Sequence, residues 1–252
     1  MIPIKTKSQI EGIKKSCKLA AECLVHAEQF VKLGETTGFV NEQISKFIKK
    51  NNAVAATLNY RGYPAESCIS VNEVVCHGIP SDEQILKEGD ILNIDITTIV
   101  DGYFGDTSKM YTVGQISEES QNLLKHTKES LRKGIEVVGP NVPFNMIGHA
   151  ITSFSKGTGY SVVENFVGHG CGVEFHEDPK ICHYVDEKFK NFGPKIMPGM
   201  TFTIEPMINL GTSDCVILED NWTAVTTDRK LSAQYEHLIL CVDDGYEILT
   251  EL

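Results

Sequence analysis

The sequence predicts an α+β fold, one domain of two similar halves. Three observations carry this. Helical periodicity appears in two separated pairs of segments. Strand-like segments fill the spaces between and after them. Short motifs of the first half return in the same chain order roughly a hundred residues later.

The first helix is drawn by Ile10, Ile13, Cys17, Ala20, Leu24, Ala27 and Val31, which recur at helical steps and make one apolar stripe. Lys32-Leu33-Gly34 ends it. Thr36-Thr37 caps a second helix whose buried side is Phe39, Val40, Ile44, Phe47 and Ile48. Strand signals follow at Cys68 to Val75 and Ile91 to Val100. A third helix starts near Ser117, carries Leu124, Thr127, Leu131, Ile135 and Val138, and stops at Gly139-Pro140. A fourth runs from about Pro143 to Lys156. Further strands are expected at Ser161 to Phe166, Thr201 to Ile208, Cys215 to Leu218 and Glu236 to Val242.

The repeat orders these elements. The spacing of Gly34 and Phe39 returns as Gly139 and Phe144, and His77-Gly78 returns as His169-Gly170. The strand that ends Ile94-Asp95 after Gly89 returns as Ile204-Glu205 after Gly199. The offsets drift, as loop insertions in an ancient duplication would make them do. A single domain over 1–252, with halves of about 1–115 and 116–252, would face across a pseudo-twofold axis. A site at that junction receives one carboxylate strand from each half.

Composition excludes several classes. The formal net charge is −11, a poor match to a general nucleic-acid binder, so no DNA partner is expected. Eight cysteines in 252 residues are too sparse for a disulfide scaffold, and none form a CxxC pair. No apolar run approaches the ~18 residues of a membrane span. A cytoplasmic protein with free thiols and no membrane contact is expected.

The chemistry lies in acidic side chains. Alternation along Ile91 to Thr97 puts Leu92, Ile94 and Ile96 on one face, and Asn93, Asp95 and Thr97 on the other. Thr201 to Glu205 does the same, with Phe202 and Ile204 opposite Thr201, Thr203 and Glu205. A carboxylate in such a strand is costly to desolvate without a cation. Either residue alone is equally readable as a hydrogen-bonded structural carboxylate. Two more shift the balance: Asp106, which a hairpin return would bring beside Asp95, and Glu236, a single carboxylate in a third strand. Four clustered carboxylates repel unless cations are present. Two bridged divalent ions resolve this, as in two-metal hydrolytic sites. His169, flanked by glycines, is a further candidate ligand, although a histidine in a glycine-rich loop is most often just a loop residue. Oxygen-rich donors with histidine favour Mn, Fe, Co or Zn.

Four stretches together resemble the type I methionine aminopeptidases in their short bacterial form: Asn72 to Pro80, Gly168-His169-Gly170, Thr203-Ile204-Glu205-Pro206 and Gln234-Tyr235-Glu236-His237. The resemblance covers nearly the whole chain. It implies the pita-bread fold, with helices packed over a curved, mainly antiparallel sheet. It implies removal of the initiator methionine from nascent polypeptides when the second residue is small, by attack of a metal-bound water or hydroxide on the first peptide bond. One divalent ion would be held by Asp106, His169, Glu205 and Glu236, and a second by Asp95, Asp106 and Glu236. The ions belong to the Co, Mn, Fe, Zn or Ni class. Glu205 resembles the general base, His77 the residue near the scissile amide nitrogen, and His176 the one that hydrogen-bonds the carbonyl oxygen.

The resemblance also implies an apolar methionine pocket of Tyr60, Tyr63, Cys68, Phe175 and Trp222, with His77 and His176 facing the substrate. Thr57 stands where many bacterial relatives have a pocket cysteine. A monovalent cation (Na or K) would sit at Asn72, Val74 and Ser232. The segment Asp186 to Lys195 looks longer than usual and basic, a solvated loop or a contact for ribosomal RNA near the exit tunnel. A monomer is expected. The rivals are a proline-directed peptidase of the same fold, whose members usually carry an extra N-terminal domain, and a non-catalytic binding module, whose members typically lose ligands.

Overall fold

The structure is a computed structural model and describes residues 2–252. Helix α1 (Lys7–Ala27) begins at a reciprocal cap: the Thr6 side chain accepts the Gln9 N–H, and the Gln9 side chain accepts the Thr6 N–H. The apolar stripe runs past the helix end, because Glu28–Phe30 form a short 3-10 turn that keeps Phe30 and Val31 against the core. Helix α2 (Thr37–Lys50) starts where Thr36 accepts the Phe39 N–H at 3.0 Å. Strands β1 (Val54–Ala55), β2 (Cys68–Val71), β3 (Val74–Cys76), β4 (Ile91–Val100) and β5 (Tyr103–Thr112) complete the first half of the chain.

Helices α3 (Glu118–Glu136) and α4 (Asn145–Ser155) follow, α3 capped by Ser117. Then come β6 (Ser161–Val162), β7 (Val167–Gly170), β8 (Glu177–Cys182), β9 (Thr201–Ile204), β10 (Met207–Asn209) and β11 (Cys215–Ile217). The last strands are β12 (Ala224–Thr226), β13 (Ser232–Gln234), β14 (His237–Val242) and β15 (Gly245–Ile248).

Every pairing among these strands is antiparallel. In the first sheet β4 pairs with β5 along its length and with β1 and β2 on its other edge. The second runs β15-β14-β9-β7-β8. Two small sheets, β13-β10-β6 and β11-β12-β3, fill the space between. Helices α1 and α2 cover the first sheet, burying Leu24, Val40, Ile44 and Ile48 against Ile69, Leu92, Ile94 and Ile96. Helices α3 and α4 cover the second, burying Leu123, Leu131, Ile147 and Ile151 against Phe202, Ile204 and Ile239. Each fully buried side chain of this kind contributes about 1.5–3 kcal/mol. This is the mixed, pseudo-symmetric layering expected.

Three strand expectations are corrected. Cys68 to Val75 breaks at Asn72, whose φ of 55° ends β2. Thr201 to Ile208 breaks at Glu205-Pro206: Pro206 has no N–H to continue the ladder, and β10 leaves for another sheet. Ser161 to Phe166 contracts to Ser161–Val162. Glu236 lies just before β14 and bridges to Ser108 of β5, which ties the two halves together. Among the described residues no helix is long and apolar enough to cross a membrane, and all eight cysteines are free.

Candidate metal centre

The β4–β5 hairpin turns at Asp101-Gly102, both with positive φ, the geometry of a tight two-residue turn. Its register sets Thr97 opposite Asp106 and Asp95 opposite Ser108. Residues directly opposite share a face, so Asp95 and Asp106 are diagonal neighbours on one side of the sheet. The other side carries Leu92, Ile94 and Ile96, each 0% exposed. Thr97 donates to Asp106 Oδ1 at 2.7 Å, which fixes that carboxylate.

The second half supplies three more groups. Glu205 stands where β9 ends, and His169 sits on β7. Thr203 links the two: its Oγ1 accepts the His169 backbone N–H at 3.0 Å and donates to Glu205 Oε1 at 2.7 Å. His169 Nδ1 lies 3.0 Å from the Gly170 carbonyl. Donation there leaves the Nε2 lone pair facing Asp106 Oδ2 at 3.5 Å and Glu205 Oε1 at 3.7 Å. A Cβ on Gly170 would meet the Asp178 carbonyl oxygen at 2.3 Å, so the glycine beside His169 permits the approach of β8. Glu236 completes the set, its backbone N–H bound to the Ser108 carbonyl at 3.2 Å.

The structure brings Asp95, Asp106, His169, Glu205 and Glu236 together. Donor atoms of His169, Glu205 and Glu236 lie within 4.8 Å of one another, as do those of Asp95, Asp106 and Glu236. Burial holds the carboxyls of Asp95, Glu205 and Glu236 well above their ordinary value, and their mutual charge pushes the same way. Asp106 is raised by burial, with His169 and Thr97 pulling it back. No lysine or arginine among the described residues pairs with any of the four. Glu236 Oε2 is buried without a hydrogen-bond partner. An oxygen-rich donor set with an orphaned carboxylate oxygen and no organic cation fits divalent ions. Cys171 also comes within reach of Asp106 and His169. Burial and the Asp106 charge push its thiol well up, which disfavours the ligating thiolate, and it packs in the core with Ile13 and Leu238.

A cleft of about 730 Å³ opens onto these groups. Thr57, Tyr60, Tyr63, Cys68, His77, Phe175, His176 and Trp222 all line it. Tyr63 and Trp222 meet edge to face at 5.2 Å, and Tyr60 lies 4.7 Å from Phe175. The Tyr63 hydroxyl donates toward the Gly78 carbonyl at 2.8 Å, and the Thr57 hydroxyl to the Ala65 carbonyl at 3.1 Å. His77 holds a φ of 57°, and the following Gly78 has no room for a Cβ, which would fall 2.3 Å from the Ile69 carbonyl oxygen. Burial, then the His169 charge, lowers His77 to about 4 and His176 to about 3. The rings of His169 and His176 are 4.0 Å apart.

Asn72, Val74 and Ser232 are also adjacent. The Asn72 carbonyl accepts the Ser232 N–H at 2.9 Å, β3 packs beside β13, and the buried Ser232 Oγ has no partner.

Several functional contacts escape sequence reasoning. His183, 1% exposed, accepts the Glu205 backbone N–H on Nε2 at 3.1 Å, and no spacing motif flags it. Gln234 Nε2 reaches Glu205 Oε2 at 3.3 Å. Phe166 and Met207 add apolar lining to the cleft, and Arg61 stands on its wall.

A family model described as metallopeptidase family M24 matches residues 11–243. A methionine aminopeptidase of Escherichia coli (strain K12) is 48% identical, covering 99% of this chain and 94% of that protein. One from Haemophilus influenzae is 45% identical over 99% of this chain and 92% of its own. The crystal structure of methionine aminopeptidase from Rickettsia prowazekii aligns with a TM-score of 0.97 and 44% identity, covering 100% of both chains. With the acidic cluster, the paired halves and the full-length match in agreement, the chain belongs to metallopeptidase family M24.

Proposed function

We propose that this chain is a methionine aminopeptidase that removes the initiator methionine from nascent polypeptides when the second residue is small. One observation carries the reading: five candidate ligands from both halves converge on one cleft that is also lined by Tyr60, Tyr63, Phe175 and Trp222. The names of the full-length relatives support the choice of methionine.

Asp106, His169, Glu205 and Glu236 would hold one divalent ion, and Asp95, Asp106 and Glu236 the other. When bound, such ions supply Lewis-acid polarisation of the peptide carbonyl and acidify a coordinated water. The chain's own groups do the rest. Glu205 takes the proton of the attacking water on its carboxylate, steadied by Thr203 and Gln234. His176 donates an N–H to the carbonyl oxygen as charge grows there. His77, against Phe166 and Trp222, holds the scissile amide nitrogen. Tyr60, Tyr63, Cys68, Phe175 and Trp222 enclose the methionine side chain, whose thioether suits aromatic walls. Thr57 sets the shape of one wall.

A monovalent ion, Na or K, at Asn72, Val74 and Ser232 would stiffen the β3–β13 contact. The proposed setting is the cytoplasm, acting as a monomer on emerging chains. Within Asp186 to Lys195, Lys188 pairs with Asp186 and Lys190 with Glu187, which favours the solvated-loop reading of this segment over a ribosome contact.

The test is peptide hydrolysis by purified protein loaded anaerobically with Mn, Fe or Co. Methionine should leave Met-Ala-Ser and stay on Met-Leu-Ser. Release of residues next to proline in place of methionine would overturn the reading.

A further inference from the structure

Lys5 and Glu177 form an ion pair with side chains only 1% and 5% exposed, and Glu177 stands on the wall of the cleft. Desolvating two such charges is costly, and mutual attraction offsets this only in good geometry with every remaining group satisfied. Tethering an N-terminal arm does not require that, since an exposed contact would suffice. The surroundings of the pair show what it holds.

Glu177 Oε2 meets the Lys5 ammonium. Its other oxygen, Oε1, accepts the backbone N–H of Val173 and of Glu174, each at 2.8 Å. Glu177 thus closes the loop from Val173 to Glu177 onto itself. Between the closed ends lie Phe175 and His176, both facing the cleft. Lys5 is anchored in turn: its backbone N–H donates to the Gly199 carbonyl at 2.8 Å, just ahead of β9. On the far side, the Gly172 carbonyl accepts the Phe104 N–H at 2.9 Å, which ties the loop to β5. The loop that carries His176 is therefore pinned at both ends, to the hairpin bearing Asp106 and to the turn before the strand leading to Glu205.

We propose that Lys5 is a positioning residue: through Glu177 it fixes the Val173–His176 loop, so that His176 and Phe175 are set against the bound peptide. This deepens the aminopeptidase reading and rests on it. It gives the N-terminal arm a part in turnover. A displacement of about 1 Å in a group that meets the reacting carbonyl can cost up to ~100-fold in rate.

The experiment compares the metal-loaded parent with Lys5→Met, Lys5→Arg, His176→Ala and Lys5→Met/His176→Ala. It reads kcat and KM on Met-Ala-Ser, bound metal, Tm, and hydrogen exchange of the Val173 and Glu174 amides. Lys5→Met should lose ~10-fold or more in kcat at unchanged metal content. Lys5→Arg should recover most of it. In the His176→Ala background Lys5→Met should cost less than about twofold further, because both changes act through one group. An equal fold-loss in both backgrounds, or a lower Tm with kcat retained, would overturn the proposal. If Lys5→Met fails to fold, Lys5→Met/Glu177→Gln leaves no lone buried charge and keeps the loop's acceptor. A near-parental Tm with reduced kcat then supports positioning, and parental kcat refutes it. The amide exchange needs no turnover: at least ~10-fold faster exchange in the variant is expected, and unchanged exchange contradicts the pin even if the parent proves inactive on methionyl peptides.

Discussion

Replacing Thr203 by valine removes one hydroxyl and little volume. Thr203 is 0% exposed, and its Oγ1 is shared between two candidate ligands on different strands. The hydrogen bond from the His169 N–H is neutral and contributes roughly 1 kcal/mol; the one given to the Glu205 carboxylate in the ion-loaded site contributes roughly 1.5–3 kcal/mol. Together the loss is about 2.5–4 kcal/mol, divided between folding and ion binding. Supporting contacts of this kind change ion affinity by about 10–100-fold when removed. Titration calorimetry of Mn(II) into parent and Thr203→Val, with thermal unfolding of each with and without the ion, separates the two shares. The expected result is a Kd weakened by at least ~10-fold and a smaller gain in Tm on adding Mn(II). A Kd within twofold of the parent, with Tm lowered, would show that the hydroxyl supports only the fold and refute its role in orienting His169 and Glu205.

Glu205→Ala should retain the circular dichroism and cooperative unfolding of the parent while losing turnover; full activity would rule out the metal reading. A pH effect is expected at His126, which stacks between Phe154 and Tyr160 and lies 3.0 Å from Ser155 Oγ. Burial holds its pKa below the ordinary 6.5, with Glu129 opposing weakly. The unfolded chain therefore takes up the proton first as pH falls, so the stability contribution is full above about 6.5 and is lost from there down to the folded value. Parent and His126→Gln unfolding curves should converge between pH 7.5 and 5.5, and a constant Tm gap would contradict this.

The four carboxylates were legible because each sits in a short pattern with its own physical meaning. Asp95 and Glu205 interrupt the polar faces of apolar strands, and the repeated His-Gly pair marks equivalent places in the two halves. The supporting residues carry no such mark. Thr97, Thr203 and Gln234 are ordinary polar residues until the register sets them beside a carboxylate. Lys5 and Glu177 lie most of the chain apart, and His183 acts through a backbone N–H, which side-chain spacing does not encode. The strand breaks at Asn72 and Pro206 were hidden by continuous β-propensity, although Pro206 was itself a signal. Strand β5 escaped the sequence reading because Asp106, Thr107 and Ser108 make it read as polar, and the Asp101-Gly102 turn signal ahead of it was not used.

Anomalous scattering at the manganese edge, from crystals grown with excess Mn(II), tests the central claim most directly. Two peaks are expected, one among Asp106, His169, Glu205 and Glu236 and one among Asp95, Asp106 and Glu236, with Asp106 and Glu236 shared. A single ion held through the Cys171 sulfur, or no peak in the cluster at all, would contradict it.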